Sequence, residues 1–458
     1  MAQSKYLTAP VPSEKMPGGV PYIISNEAAE RFSYYGMRAI LVIFMTRHLM
    51  GRNGQLAPMN DAEAKTWYHL FTSAVYFTPL LGAVIADAFL GKYLTIMSLS
   101  LVYCAGHLAL ALDDTRLGLL VGLALIALGS GGIKPCVSAH VGDQFGKTNA
   151  RLLEKVFGWF YFAINFGAFA STLLTPYLLE HLGPHVAFAV PGILMGIATL
   201  AFWMGRWKFV HVPPGGMEFL RETFGPEGRS AMLRLAVIYV FIAMFWSLFD
   251  QTGSAWVLQA EQMDRTIFGI ELLSSQIQAA NPLLIMILIP TFAYGVYPAI
   301  NKVFPLTPLR KISIGFFVAA ASFAVSTFIE MRIAAGGRPS IAWQLLAYVI
   351  ITCAEVMISI TGLEFSYTQA PRRMKSIIMA LYMLSVSLGN AFTAGVNHFL
   401  QGDQAVFRLS DVGYYSFFTI SMLATAVVFI VVALLYKPRT YIQEEQPAHG
   451  FPTIRDHS

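Results

Sequence analysis

Apolar residues run along this chain in long blocks broken by short polar segments, and each block approaches or exceeds the roughly 20 residues that cross a bilayer as a helix. The blocks fall near residues 22–47, 67–90, 94–112, 117–142, 156–180 and 186–206. A second set falls near 235–260, 276–298, 312–330, 341–369, 376–400 and 413–436, with the stretch 235–298 the least cleanly divided. This pattern predicts an all-α membrane protein of twelve transmembrane helices. The longest polar interruption, 207–234, carries Pro213-Pro214-Gly215-Gly216 and splits the spans six and six. The expected organisation is an N-terminal six-helix bundle (1–206), a linker (207–234), a C-terminal six-helix bundle (235–440) and a tail (441–458).

Composition agrees with lipid as the main solvent. Of 458 residues 56% are hydrophobic and 12% charged, against about 25% charged in soluble domains. The formal charge of +5 is small and the basic residues are scattered between apolar blocks, so nothing supports nucleic-acid binding. Cys104, Cys136 and Cys353 lie far apart inside apolar blocks. They read as buried small residues, with neither a disulfide framework nor a metal motif, and no cofactor is expected. The polar start, MAQSKYLTAPVPSEKMPGG, has no apolar core of a signal peptide. If the N-terminus is inside, most of the 31 Lys and Arg fall on inner segments. The clusters Lys147/Arg151/Lys155, Lys302/Arg310/Lys311 and Arg372/Arg373/Lys375 are among them, so both termini are expected in the cytoplasm of a cell-membrane protein.

Ionisable groups inside spans cost a few kcal/mol each or more on insertion scales, so each demands a partner or a cavity. Span 1 places Glu27, Glu30, Arg31, Tyr34 and Arg38 on one helical face. Arg31 can neutralise only part of that stripe, which therefore faces a cavity or buried partners. Span 4 carries Lys134 before Pro135, after the run Gly129-Ser130-Gly131-Gly132, and needs a carboxylate or water nearby. Span 7 offers Asp250, and span 10 offers Glu355, Ser359 and Glu364. Span 2 has His69 with Tyr76 on the same face, and span 5 has Tyr161 and Asn165, with Gly158 permitting close packing. A lone histidine is usually a satisfied structural group, and Asn281-Pro282 in span 8 reads first as a helix kink. Cations thus come mainly from the first half and unpartnered carboxylates from the second. A cavity between such walls suits a zwitterion such as a short peptide, and the titratable groups give protons a place to bind.

Two six-span halves around a midplane site is the layout of the major facilitator superfamily, and GAVIADAFLGKYLTI (82–96), with Asp87 and Lys92, resembles its loop motif. Over nearly its whole length the chain resembles the proton-dependent oligopeptide transporter (POT/PTR2) family. The resemblance lies in Glu27-x-x-Glu30-Arg31-Phe32-x-Tyr34-Tyr35-Gly36, FGWFYFAINFGAF (157–169), GSGGIKPCVSAHVGDQF (129–145), FWSLFDQTGS (245–254) and EVMISITGLEFSYTQAP (355–371). It implies a proton-coupled symporter of di- and tripeptides, working by alternating access, with no enzymatic activity. Glu27, Glu30, Arg31, His69 and Asp250 would couple protons. Arg38 and Lys134 would face the peptide carboxylate and Glu355 its amine, with Tyr34, Tyr35, Tyr76, Asn165, Trp246, Asn281 and Ser359 lining the pocket. Lys134 and Asp250 would pair as a gate between the halves, with Asp87 and Lys92 at a second gating position. His69 matches the histidine of the animal carriers' second span. Two departures stand out. The linker is too short for the two extra helices of many bacterial members, and Ala255 replaces an arginine of the animal carriers. The rival expectation is a carrier of nitrate or another small anion on the same fold. The expected partners are di- and tripeptides, protons and the lipid bilayer, with a monomeric chain.

Overall fold

The computed structural model describes residues 6–216, 221, 224–369, 375–401 and 408–437. The basic residues Arg372 and Arg373 and the tail 441–458 lie outside the described residues, as do the side chains of Lys147, Arg151, Lys155, Gly158 and Lys375. The chain is helical almost throughout. α1 (Val20–Ile43), α2 (Asp61–Val84), α3 (Lys92–Leu112) and α4 (Arg116–Asp143) come first. A further helical stretch, Leu153–Met204, is broken at Gly183 (φ 81°, ψ 175°), just before Pro184, giving α5 (153–182) and α6 (184–204). The second half holds α7 (Pro226–Phe249), α8 (Ala255–Glu261), α9 (Ala280–Thr291), α10 (Tyr297–Asn301), α11 (Pro308–Ala334), α12 (Ala342–Glu355), α13 (Thr361–Gln369), α14 (Lys375–Val396) and α15 (Asp411–Leu435). A two-stranded hairpin, Thr266–Ile267 with Ile270–Glu271, turns through Phe268 and Gly269, both at positive φ.

Ten described segments are long and apolar enough to cross a membrane. They differ from the expected twelve for two physical reasons. One segment, 159–207, is the kinked pair α5 and α6, and α1 is long enough but carries four charged side chains. The segment expected as span 7 is interrupted. α7 starts earlier than read from sequence, at Pro226, and ends at Phe249; a 3-10 turn over Asp250–Gly253 then leads into α8. Span 10 stays helical from α12 through a π turn over Val356–Ile360 into α13. Asn281 and Pro282 are no mid-helix kink; they sit in the first turn of α9, after a 3-10 turn over Ser274–Ala279. A proline there interrupts little, because the first-turn N–H groups have no intrahelical acceptor.

Helix starts are set locally. Asn60 accepts from Glu63 N (2.8 Å) at α2, and Ser410 from Gly413 N (3.0 Å) at α15, both satisfying otherwise orphaned donors. Each half then buries its own apolar core, one drawn mainly from α1–α6 and one from α7–α15. Within the first half α1 packs on α5, and α4 on α2 and α3. The glycine run of α4 permits that contact. A Cβ on Gly82 would come 2.2 Å from Gly132 O, so α2 and α4 meet backbone to backbone. The two halves meet chiefly along α2 and α14, and where α5 approaches α9.

Gly82→Ala is therefore expected to destabilise the folded protein by about 1–3 kcal/mol through overpacking. Gly196→Ala in α6, where a Cβ meets nothing within 4 Å, should leave the thermal midpoint in detergent unchanged or raised. Equal midpoints for the two variants would contradict the α2–α4 apposition.

Candidate functional site

The span-1 face divides into two groups that point to different partners. Near the start of α1, Arg31 Nε donates to Glu27 Oε1 (2.7 Å) and lies 3.2 Å from Glu30 Oε2. Ser130 Oγ of α4 donates to Glu30 Oε1 (2.6 Å). Both carboxylates are buried, so two negative charges share one guanidinium and one hydroxyl. Among the described residues the nearby Lys134 ammonium has no hydrogen-bond partner; it lies over the rings of Tyr34 (4.0 Å) and Tyr76 (4.3 Å). Two aromatic faces supply cation–π attraction there in place of a carboxylate.

Two turns further along, Arg38 turns toward the other half. Its Nε donates to Tyr68 Oη (2.5 Å), and its Nη2 pairs with Asp250 Oδ1. The other carboxylate oxygen of Asp250 accepts from Asn390 Nδ2 of α14 (2.6 Å). Asn390 Oδ1 lies 2.7 Å from His69 Nδ1, and His69 Nε2 lies 2.8 Å from Ser254 Oγ. With the amide N–H of Asn390 committed to Asp250, its oxygen must accept, so His69 carries its proton on Nδ1. In the neutral ring Nε2 then accepts from Ser254. A continuous buried chain thus runs from Tyr68 through Arg38, Asp250, Asn390 and His69 to Ser254, passing from one half to the other three times. The break after α7 makes it possible, since Asp250 opens the 3-10 turn and Ser254 directly follows it. Gly253 is required inside that turn, where a Cβ would stand 1.9 Å from Tyr68 Oη.

Beside this chain lies a cavity of about 220 Å³. Tyr35, Arg38, Tyr76 and Asn165 line it from the first half, and Trp246, Asp250, Asn281 and Glu355 from the second. Glu355 is not without a partner as read from sequence. Asn281 Nδ2 donates to Glu355 Oε2 (2.7 Å) and to Thr352 Oγ1 (3.2 Å), fixing the carboxylate in the cavity wall. Every described hydrogen bond or ion pair between the halves lies at this level or toward the end where α2 and α15 begin. Lys65 donates to Gln401, Arg47 pairs with Glu261, Ser387 Oγ donates to Ser73 O (2.8 Å) and Gln278 Nε2 to Ala39 O (3.1 Å). At the opposite end no such bond joins the halves among the described residues. There Lys92 Nζ pairs with Asp143 Oδ2 (2.7 Å) within the first half, and Gly215 N donates to Asp87 O (2.7 Å), fastening the chain after α6 to the same half. Among the described residues the polar contacts between the halves are thus confined to one end of the cavity.

Comparison with known proteins fits this layout. The profile of the POT family (PTR2) matches residues 93–226 and 222–408. The chain belongs to the POT family. Peptide transporter family 1 of Drosophila melanogaster is 37% identical over 373 residues, 71% of this chain and 49% of that protein. Human solute carrier family 15 member 2 is 35% identical over 401 residues, 76% of this chain and 54% of that protein. The chain therefore spans about half the length of these curated relatives. Among solved structures, an auto-inhibited POT family peptide transporter superposes with a TM-score of 0.84 at 35% identity, covering 94% of this chain and 99% of that one. The fold is thus the all-helical, multi-pass membrane architecture of POT transporters, and the chain is a transporter-family member rather than an enzyme.

Set on this POT fold, several residues named from the sequence have partners other than those expected. Asp250 pairs with Arg38, not with Lys134, because Arg38 reaches across the interface while Lys134 is enclosed by tyrosines of its own half. Tyr34, Lys134 and Ser359 do not line the cavity. Tyr34 is fully buried under Lys134, and Ser359 only offers its carbonyl to Tyr382 Oη (3.0 Å). His69 is held by Asn390 and Ser254, so the structural-partner reading of this residue describes its geometry. Sequence reasoning passed over Asn390, Tyr68 and Ser254. Asn390 was findable, as one of two amides (with Asn397) in the otherwise largely apolar span 11, where an unpartnered polar group is costly.

Removing either member of a buried pair strands the other, at a cost of about 3–5 kcal/mol, whereas replacing both by apolar residues often restores stability. Thermal unfolding of Arg38→Met, Asp250→Leu and the double variant should show strongly non-additive losses. Lys134→Met combined with Asp250→Leu should be close to additive. Additivity in the first cycle and coupling in the second would reverse the assignment of the partner.

Proposed function

We propose that this chain is a proton-coupled symporter of di- and tripeptides that works by alternating access. The observation that carries the reading is the Arg38–Asp250–Asn390–His69 chain, which joins two separately packed halves directly over a small cavity. Such a contact must form and break if the halves rock about a central site. The cavity suits a zwitterion, with the Arg38 guanidinium on one wall and the Glu355 carboxylate, oriented by Asn281, on the other. A peptide ammonium bound by Glu355 and a peptide carboxylate drawn to Arg38 would span it. A small anion such as nitrate would leave Glu355 buried with no cation to meet.

Proton sites follow from the same geometry. Protonation of Asp250 removes the charge that holds Arg38 and weakens the closed end. Glu27 and Glu30 share Arg31, so a proton on either leaves the other better paired. The proposal sets both termini in the cytoplasm, on the distribution of Lys and Arg. The end bridged by the Arg38–Asp250 pair is then extracellular. It further takes the bundles as 1–206 and 235–440 with a cytoplasmic linker between them, and the chain as a monomer in the cell membrane.

Counterflow in proteoliposomes tests the activity. Labelled dialanine should exchange, with competition by tripeptides and none by nitrate or free alanine. Competition by nitrate with no dialanine exchange would favour the anion carrier instead. Glu30→Gln should keep exchange, which needs no net proton movement, but lose at least tenfold in gradient-driven accumulation. Full accumulation by that variant would remove Glu30 from the coupling.

A further inference from the structure

A crevice of about 650 Å³ is unconnected with the site above. It lies between the first turns of α11, the middle of α13 and the last turns of α15. Its walls are apolar for most of their length, with Ile314 and Phe317 of α11 facing Ile430, Ala433 and Leu434 of α15. One end differs. There Arg310 lines the crevice, next to Thr307 and the N-terminus of the 27-residue helix α11.

Position along the helices tells at what depth this crevice lies in a bilayer. Thr307 and Pro308 begin a membrane-spanning helix and Tyr436 directly follows the end of another, so this end is at headgroup level. From Thr307 to Phe317 is ten residues, or about 15 Å of helix rise, roughly half the ~30 Å hydrocarbon core. The groove is therefore one leaflet deep, apolar along its length and polar only at its mouth.

The mouth is positive. Arg310 is exposed and its guanidinium is held in place, with Nη1 donating to Pro305 O (2.7 Å) and the group lying over the Phe304 ring at 4.7 Å. Its remaining N–H groups form a fork suited to a phosphate. The positive end of the α11 dipole adds to this. Lys311 follows Arg310, and exposed Lys437 follows Tyr436. Among the described residues no carboxylate lines the crevice; the acid nearest in sequence to a lining residue, Glu364 beside Phe365, is not part of the wall. This is also where the sequence concentrates Lys302, Arg310 and Lys311, a cluster for which the transport site has no use.

We propose that this crevice is a binding site for an anionic phospholipid, with one acyl chain along the Phe317–Ile430 groove and the phosphate at Arg310. The match of groove length to a single leaflet and of the basic mouth to a phosphate headgroup together select this occupant. It fastens α11 to α15 on the lipid-facing side of the second half, away from the interface between the halves.

The test uses the full chain, purified from membranes doped with equal amounts of phosphatidylglycerol and phosphatidylcholine, with retained lipid counted by native mass spectrometry. Wild type should retain phosphatidylglycerol preferentially. Arg310→Gln should reduce that preference about fivefold, the scale set by one basic residue near an anionic surface. Lys437→Gln is a second headgroup variant with the same expected direction. Ile430→Trp, which fills the groove, should lower retention of both lipids. Arg332→Gln, at the other end of α11, should behave as wild type. Equal retention of the two lipids by wild type, or an undiminished preference in Arg310→Gln at matched thermal stability, would overturn the proposal.

Discussion

The structure turns on a buried ion pair that joins its two halves. Arg38 and Asp250 are both buried, from halves that otherwise pack their own cores. Charges moved out of water lose several kcal/mol each and recover it only through close pairing and further hydrogen bonds. The surrounding residues supply those bonds. Tyr68 accepts from the guanidinium, Asn390 donates to the free carboxylate oxygen, and His69 holds the Asn390 amide in the orientation that allows it. The pair also explains a local irregularity. α7 stops at Phe249 and a 3-10 turn sets Asp250 against the first half, with Gly253 leaving room for Tyr68. A regular helix through this segment would carry the carboxylate elsewhere.

The other intramembrane charges are arranged by the same constraint and reach a different solution. Glu27 and Glu30 divide Arg31 and Ser130 between them, and Lys134 has tyrosine rings where a carboxylate is expected. Glu355 has only neutral donors from Asn281. These groups are less completely compensated than Arg38 and Asp250, which fits groups whose missing partner arrives as a proton or a substrate. The end with the interhalf bonds is tightly satisfied, while the cavity wall keeps a carboxylate in reserve.

Much of this was legible in the sequence, and what escaped it has a common cause. Span lengths, the division into halves and the charged face of α1 follow from periodicity and from the cost of charge in lipid, both of which act within one helix. Partner choice was not legible, because Arg38 and Asp250 are 212 positions apart and Lys134 was an equally plausible cation. What separates the two is which side of its own half each faces, set by the packing of α1 on α5 and of α4 on α2. The 3-10 turn at Asp250–Gly253 falls on Asp-Gln-Thr-Gly, whose Asp, Thr and Gly are weak helix formers that a reading of apolar block length passes over. The π turn at Val356–Ile360 lies in an apolar run that suits a continuous helix, so it left no mark. Of the residues that the resemblance implies for the pocket, Tyr35, Arg38, Tyr76, Asn165, Trp246, Asn281 and Glu355 line the cavity, and Tyr34, Lys134 and Ser359 do not.

The central claim is that the Arg38–Asp250 pair holds one end of the bundle closed. Distances between spin labels across that end test it most directly. Labels at Asn53, in the loop after α1, and at Ala335, after α11, sit on exposed positions of the two halves, once Cys104, Cys136 and Cys353 are replaced. Double electron–electron resonance on the otherwise unmodified chain should give a predominantly short distance. Asp250→Ala should shift the population to a longer, broader distribution, since Arg38 then lacks the charge that draws the halves together. A distribution identical to that of the unsubstituted chain would mean that closure does not depend on the pair, and would contradict the account.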